Sequence, residues 1–154
     1  GIQLREKQKA RRAYGLMEGQ FRRTFGKAEG MKGITGENLL QLLERRLDNV
    51  VYRSGLASSR AQARQFVAHG LVTVNGKKVD IPSYTTKVGD VVAVRQSRRD
   101  IEHFKIVKEG VSRVVPKWLS TVAADLSVTV NALPQREDVD LTLQENMIVE
   151  FYSR

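Results

Sequence analysis

The 154-residue chain contains no cysteine, three prolines, two histidines and one tryptophan. Without cysteine it can form neither a disulfide nor a thiolate metal site, and a reducing cytosol suits it. His69 and His103 are too far apart to give a metal-ligand spacing, so no metal is expected. No stretch approaches the ~20 apolar residues of a membrane-spanning helix. The opening residues Gly1 to Lys7 lack the apolar core of a secretory signal. A soluble chain with no membrane partner is therefore expected. Also missing are the G-x-S-x-G elbow, the Walker loop and the G-x-G-x-x-G turn. Asp138 and Asp140 come closest to a carboxylate pair, but they fall in what reads as a solvated acidic tail. No enzymatic role, cofactor or small-molecule substrate is expected.

Positive charge is abundant. The formal net charge is +9 and the sequence pI about 10.1, which points to an anionic polymer as partner. Residues 1–99 hold 20 Lys+Arg against 8 Asp+Glu, a net of +12. Residues 100–154 hold 6 against 9, a net of −3. The binding surface is thus expected on the first two thirds of the chain. Hydrophobic residues make up 41%, enough for a folded core.

Apolar periodicity gives the organisation. Leu4–Arg12 is charged and helix-prone. Tyr14, Met17, Phe21 and Phe25 then mark one face of an amphipathic helix, with Gly26 to Gly33 as a basic, glycine-rich linker. A second helix begins at Thr35 as N-cap, with Glu37 in its first turn. Its stripe is Leu39, Leu40, Leu42, Leu43, Leu47, Val50 and Val51, with a stop at Gly55. Arg45, Arg46 and Arg53 fall largely off that stripe, as solvated groups or as phosphate contacts. Beyond Arg95 the pattern weakens. Ile106–Val115 reads as helix or extended chain, Pro116–Leu119 as an anchored loop, and Ser127–Val130 as a strand. Pro134 opens an acidic tail, and Leu143–Tyr152 reads as a helix, although Ile148–Tyr152 also suits a strand.

The most informative stretch runs from Ser58 to Gly76. Ser59 and Gln62 fit a capping box, Ala63, Phe66 and Val67 form the inner face, and Gly70 ends the helix. Arg60 and Arg64, four apart, project from one side. Leu71 to Val74 alternates as a strand, Asn75-Gly76 demands a tight hairpin, and Lys77 and Lys78 stand beside the turn. Val88-Gly89-Asp90 reads as a turn and Val91–Arg95 as a further strand. A helix N-terminus attracts phosphate, arginines grip it bidentately, and lysines add point charges. His69 suits the helix C-terminus or an RNA-facing position. Together these make a nucleic-acid surface. RNA is favoured over DNA because no long base-reading helix or dimer seam is evident.

Ser59-Arg60-Ala61-Gln62-Ala63-Arg64, His69-Gly70 and Val72-Thr73-Val74-Asn75-Gly76-Lys77 resemble the alpha-L RNA-binding motif. That motif is also found in some tyrosyl-tRNA synthetases, pseudouridine synthases and a heat-shock protein. Leu4–Lys9, Gln20–Arg23, Arg46–Arg53 and Ile148–Arg154 extend the resemblance to the bacterial ribosomal small-subunit protein four family. The resemblance implies an α+β fold. Residues 1–44 would form a helical domain joined by a returning segment, 134–154. Residues 45–133 would form an RNA-binding domain, a helix pair on a small, mostly antiparallel sheet, with motif core 45–106. It further implies early binding to the five-prime domain of small-subunit ribosomal RNA, contact with ribosomal small-subunit protein five, and influence on translational accuracy in the cytoplasmic ribosome. Some members repress their own messenger RNA. The alternatives are the targeting module of an RNA-modifying enzyme and an off-ribosome repressor.

The expected RNA-binding residues are Arg5, Lys7, Lys9, Arg11, Arg12, Arg22, Arg23, Arg45, Arg46, Arg53, Ser59, Arg60, Arg64, His69, Asn75, Lys77 and Lys78. Family members carry a further basic segment, sometimes with a zinc site, ahead of the position of Gly1. Leu71 stands where many have histidine. Asn131 and Ala132 replace frequent basic residues before Pro134-x-Arg136, which argues against RNA contact near Arg136.

Overall fold

The computed structural model describes residues 1–153. Among them the order is α1 (Ile2–Ala13), α2 (Glu18–Gly30), α3 (Thr35–Glu44), α4 (Leu47–Arg53), α5 (Arg60–Ala68), β1 (Val72–Val74), β2 (Lys77–Lys78), β3 (Val91–Val94), α6 (Glu102–Val107), β4 (Leu119–Val122), β5 (Ser127–Val130) and α7 (Glu145–Tyr152). The chain divides into two compact units, Gly1–Glu44 with Pro134–Arg154, and Arg45–Leu133. The α+β class expected from the sequence is the one found.

The first unit is helical. Its core gathers Ala10, Tyr14, Phe21, Phe25, Leu39, Leu40 and Leu43 with Val139, Leu143 and Ile148 from the distant C-terminal segment. Full burial of a side chain such as Ile148 contributes ~1.5–3 kcal/mol. This explains why a segment 90 residues further on in the sequence returns here. Close approach of α3 to α7 depends on Gly36, where a Cβ would lie 2.8 Å from Glu145 Cγ. The Tyr14 hydroxyl donates to Glu44 Oε2 at 2.6 Å, which supplies one of the partners that buried Glu44 needs.

The second unit is a five-stranded antiparallel sheet in the order β2-β1-β3-β5-β4. Period-two alternation sends Val72, Val74, Val92, Val94, Val128 and Val130 to one face, where they meet Leu47, Val50 and Val51 of α4 and Ala63 and Val67 of α5. Trp118 is 1% exposed in the same core. Asn75 and Gly76 both have positive φ, 52° and 84°, as the two-residue turn requires.

Several sequence expectations are corrected. The Tyr14–Phe25 stripe belongs to two helices. Tyr14 caps α1, Gly15 turns the chain at φ 70°, and Met17, 72% exposed, precedes α2. The expected linker from Gly26 is helical through Gly30, because Phe25 and Ala28 anchor that turn in the core. The leucine stripe is likewise broken between Glu44 and Leu47. There Arg46 leaves the helix to bridge Thr85, and Leu47 N–H and Asp48 N–H donate to the carbonyls of Tyr84 and Pro82. Thr35 is the first helical residue, and the Ile34 carbonyl accepts the first helical bond from Asn38 N–H. Helix α6 ends at Val107, so the Ile106–Val115 stretch is mostly irregular. The expected loop at Leu119 opens strand β4. The acidic tail is an ordered returning segment. Arg136 reaches Glu145 at 2.8 Å and the carbonyls of Val139 and Leu143, so local partners offset its charge. Within Leu143–Tyr152, the residues Glu145–Tyr152 form α7, so the helical reading holds over the strand alternative.

Candidate nucleic-acid interface

Folding redistributes the charge. Counted by unit, Arg45–Leu133 carries 15 Lys+Arg against 7 Asp+Glu, a net of +8. The other unit carries 11 against 10, a net of +1, because the returning segment brings acidic residues back to the basic N-terminal helices. The positive field is therefore concentrated on the second unit.

Helix α5 is set by its cap. Ser59 Oγ accepts from Gln62 N–H at 3.0 Å, and Gln62 Oε1 accepts from Ser58 N–H at 2.6 Å. Ala63 and Val67 fix the inner face, which leaves Arg60 and Arg64 half-buried at its margin. Arg60 Nε donates to Asn49 Oδ1 at 3.1 Å, and its Cζ lies 4.5 Å from the Tyr52 ring centroid. The exposed His69 caps the other end, and Gly70 turns the chain at φ 77°.

The hairpin places its lysines beside that end. Lys78 pairs with Thr73 in the β1–β2 register, and its side chain runs past Gly70, with Cδ 3.3 Å from where a Cβ would stand. Arg95 N–H donates to the Leu71 carbonyl at 2.7 Å, so the exposed Arg95 joins the same edge. Thus His69, Lys78 and Arg95 converge at the C-terminal end of α5, with Lys77 exposed on the same hairpin. Asn75 does something else. Its Oδ1 accepts from Val91 N–H and its Nδ2 donates to Asp90 Oδ1, both at 2.9 Å, so its amide locks the turn to β3.

The other expected residues divide by exposure. Arg5, Lys9 and Arg12 are exposed along α1, where they line a shallow groove with Leu4 and Gln8. Arg22 and Arg23 are exposed on α2. Lys7 points inward, 2.6 Å from Glu18 and 4.8 Å from the centroid of the Phe151 ring. Arg11 donates to Gln8 and to the Leu16 carbonyl. Arg46 is 6% exposed and makes a two-pronged ion pair with Asp48 at 3.1 and 3.0 Å, and Arg53 is also buried. Arg45 is partly buried and donates to the Thr86 carbonyl; desolvation lowers its pKa, with Asp90 opposing. Lys7, Arg46 and Arg53 are thus packed within their units.

Sequence reasoning did not single out the exposed Arg95 and Arg98, or Arg113, which donates to Tyr52 Oη and the Ser58 carbonyl. Arg95 and Arg98 were detectable as part of the basic run from Arg95 to Arg99. Arg113 carried no local signal, because its partners lie more than 50 residues earlier.

The fold and this surface define a two-unit α+β protein with a capped basic helix and hairpin suited to a polyanion. Residues 45–92 match the S4 domain, and residues 1–44 match the ribosomal protein S4/S9 N-terminal domain. Small ribosomal subunit protein uS4 of Acetivibrio thermocellus is 61% identical over all of this chain and 74% of its own length. The uS4 proteins of Thermoanaerobacter pseudethanolicus and Clostridioides difficile are 59% and 55% identical, each over all of this chain and 74% of theirs. The chain belongs to the small ribosomal subunit protein uS4 family.

Proposed function

We propose that the chain is a non-enzymatic structural component of the small ribosomal subunit that binds small-subunit ribosomal RNA. The observation that carries this reading is the net charge of +8 on the second unit, organised around α5 and its hairpin. Phosphate contacts dominate RNA affinity, and this surface supplies both arginine forks and lysine point charges. The match of residues 1–44 to the ribosomal N-terminal domain favours a ribosomal role over the targeting module of a modifying enzyme.

Within that reading, the RNA is the five-prime domain of small-subunit ribosomal RNA, bound early in assembly in the cytoplasm. Contact with ribosomal small-subunit protein five, an effect on decoding accuracy and repression of its own messenger RNA are proposed with it. The contacting set is centred on Ser59, Arg60, Arg64, His69, Lys77 and Lys78. Exposed Arg5, Lys9, Arg12, Arg22 and Arg23 form a second contact area on the helical unit. Arg60→Ala combined with Arg64→Ala should weaken binding to a five-prime-domain transcript at least tenfold, with the circular dichroism spectrum retained. Undiminished affinity in a folded double variant would remove α5 from the interface.

A further inference from the structure

Three short segments of the second unit enclose a cavity of about 360 Å³ beside the start of α5. The turn between α4 and α5 supplies Ala57, α6 supplies His103 and Val107, and the segment after α6 supplies Val111 and Arg113. Gly55 lets that last segment close on the turn. It sits at φ 87°, and a Cβ there would lie 2.6 Å from Val111 Cβ. Buried Ala57 and Val107 give an apolar floor, and exposed Ser58, Ile106 and Ser112 stand at the rim. His103 Nε2 donates to the Leu56 carbonyl at 2.9 Å, which pins the imidazole wall. Among the described residues no Asp or Glu lines the cavity, but Arg113 does. Its Nη1 donates to Tyr52 Oη at 2.9 Å and its Nη2 to the Ser58 carbonyl at 3.2 Å, both neutral acceptors. Its Nε has no hydrogen-bond partner, so the group retains its charge and an unused donor.

We propose that this cavity takes one unstacked base of the bound RNA, with the phosphate of that nucleotide at Arg113. The proposal rests on the RNA-binding reading above and adds a base-binding site to its phosphate contacts. Sequence-specific RNA recognition targets loops and bulges, whose splayed bases are stacked on side chains and hydrogen-bonded at their edges. An apolar floor under a hydroxyl rim meets both needs, because Ser58 and Ser112 can each donate or accept. The volume lies at the low end of the ~300–1,000 Å³ of small-molecule sites, which suits a single nucleotide. Arg113 favours a nucleotide over an apolar side chain from a protein neighbour. A phosphate supplies the opposite charge that the guanidinium lacks, and an apolar side chain does not. Arg113 also bonds to the residue before the Ser59 cap, so a nucleotide held there leads its chain directly onto the start of α5. The guanidinium is held ready, with its Cζ 3.9 Å from the Tyr52 ring centroid.

The test uses the intact chain and a transcript of the small-subunit five-prime domain. Ser112→Trp fills the mouth of the cavity from an exposed position, so the fold is retained. It should lower affinity about five- to tenfold. Arg113→Gln should cost a similar factor and reduce the log–log salt slope by about one, the signature of one lost phosphate contact. Both changes remove the same nucleotide, so the double variant should lose little more than either single one. Chemical probing of base edges with dimethyl sulfate and a carbodiimide gives the direct readout. The wild-type chain should protect an unpaired base that becomes reactive again with Ser112→Trp, at protein concentrations that saturate the transcript. Unchanged affinity in Ser112→Trp, a multiplicative loss in the double variant, or protection identical with both proteins would overturn the site and leave RNA binding intact. Failure of the wild-type chain to bind the transcript at all would instead overturn the reading beneath it.

Discussion

Replacing Asn75 tests whether the hairpin is held by its turn residue or only by the strands around it. Asn75 sits at φ 52°, where an ordinary L-residue pays ~1 kcal/mol or more. Its side chain also satisfies Val91 N–H and binds the Asp90 carboxylate. The first bond is solvent-accessible and contributes ~0.5–1 kcal/mol; the second, to a charged and mostly buried group, contributes ~1–1.5 kcal/mol. Asn75→Ala loses all three terms and should destabilise the second unit by ~2.5–3.5 kcal/mol. Asn75→Gly keeps the backbone conformation, loses only the hydrogen bonds, and should cost ~1.5–2.5 kcal/mol. Trp118 is the one tryptophan in the sequence and is buried in this unit, so its fluorescence reports the unit's unfolding in urea. With a slope of ~1–1.5 kcal/mol per molar, the alanine variant's midpoint should fall by about 2 M. The order wild type, glycine, alanine is the essential result. An alanine variant as stable as wild type, or more stable than the glycine variant, would refute the reasoning.

Further outcomes follow from the helical unit. Glu18 has its pKa lowered, first by the hydrogen bond from Lys7, with burial opposing. That contribution is present above the ordinary carboxylate range and is lost as pH falls through the lowered value. Because the Glu18 side chain is 52% exposed, it should amount to less than ~1 kcal/mol. Hydrogen exchange of α1 amides in Glu18→Gln should show a weaker loss of protection on acidification than wild type. Gly36→Ala should destabilise this unit by ~1–3 kcal/mol, because the Glu145 stem and backbone stand where its Cβ would go. Chemical shifts at Arg136, the ion-pair partner of Glu145, should move with it. Ile148→Ala should cost ~2–5 kcal/mol by leaving a cavity under α7. Exchange in α7 should then accelerate more than in α5.

The sequence revealed features whose causes are local. Ser59 and Gln62 announced the start of α5, Gly70 its end, and Asn75-Gly76 the hairpin, because cap and turn chemistry act within a few residues. Breaks caused by distant partners were hidden. The stripe from Leu39 to Val51 continues smoothly through Arg45 and Arg46, yet pairing of Arg46 with Thr85 divides it. The acidic stretch after Pro134 looked solvated because Val139, Leu143 and Ile148 find their apolar partners about a hundred residues earlier. The same limit applies to the interface. Charge pointed to the α5 arginines, but it could not distinguish exposed Arg22 from inward Lys7, or show Arg113 resting on Tyr52.

The central claim is that this basic unit grips RNA phosphates, and the salt dependence of binding tests it most directly. Affinity for the five-prime-domain transcript should be measured by titration from 50 to 200 mM monovalent salt. With ~6 or more phosphates engaged, affinity should fall by about a thousandfold or more across that range. Arg60→Ala with Arg64→Ala should flatten the log–log slope by about two. A wild-type affinity that barely changes with salt, or no binding to the transcript at 50 mM, would contradict the account.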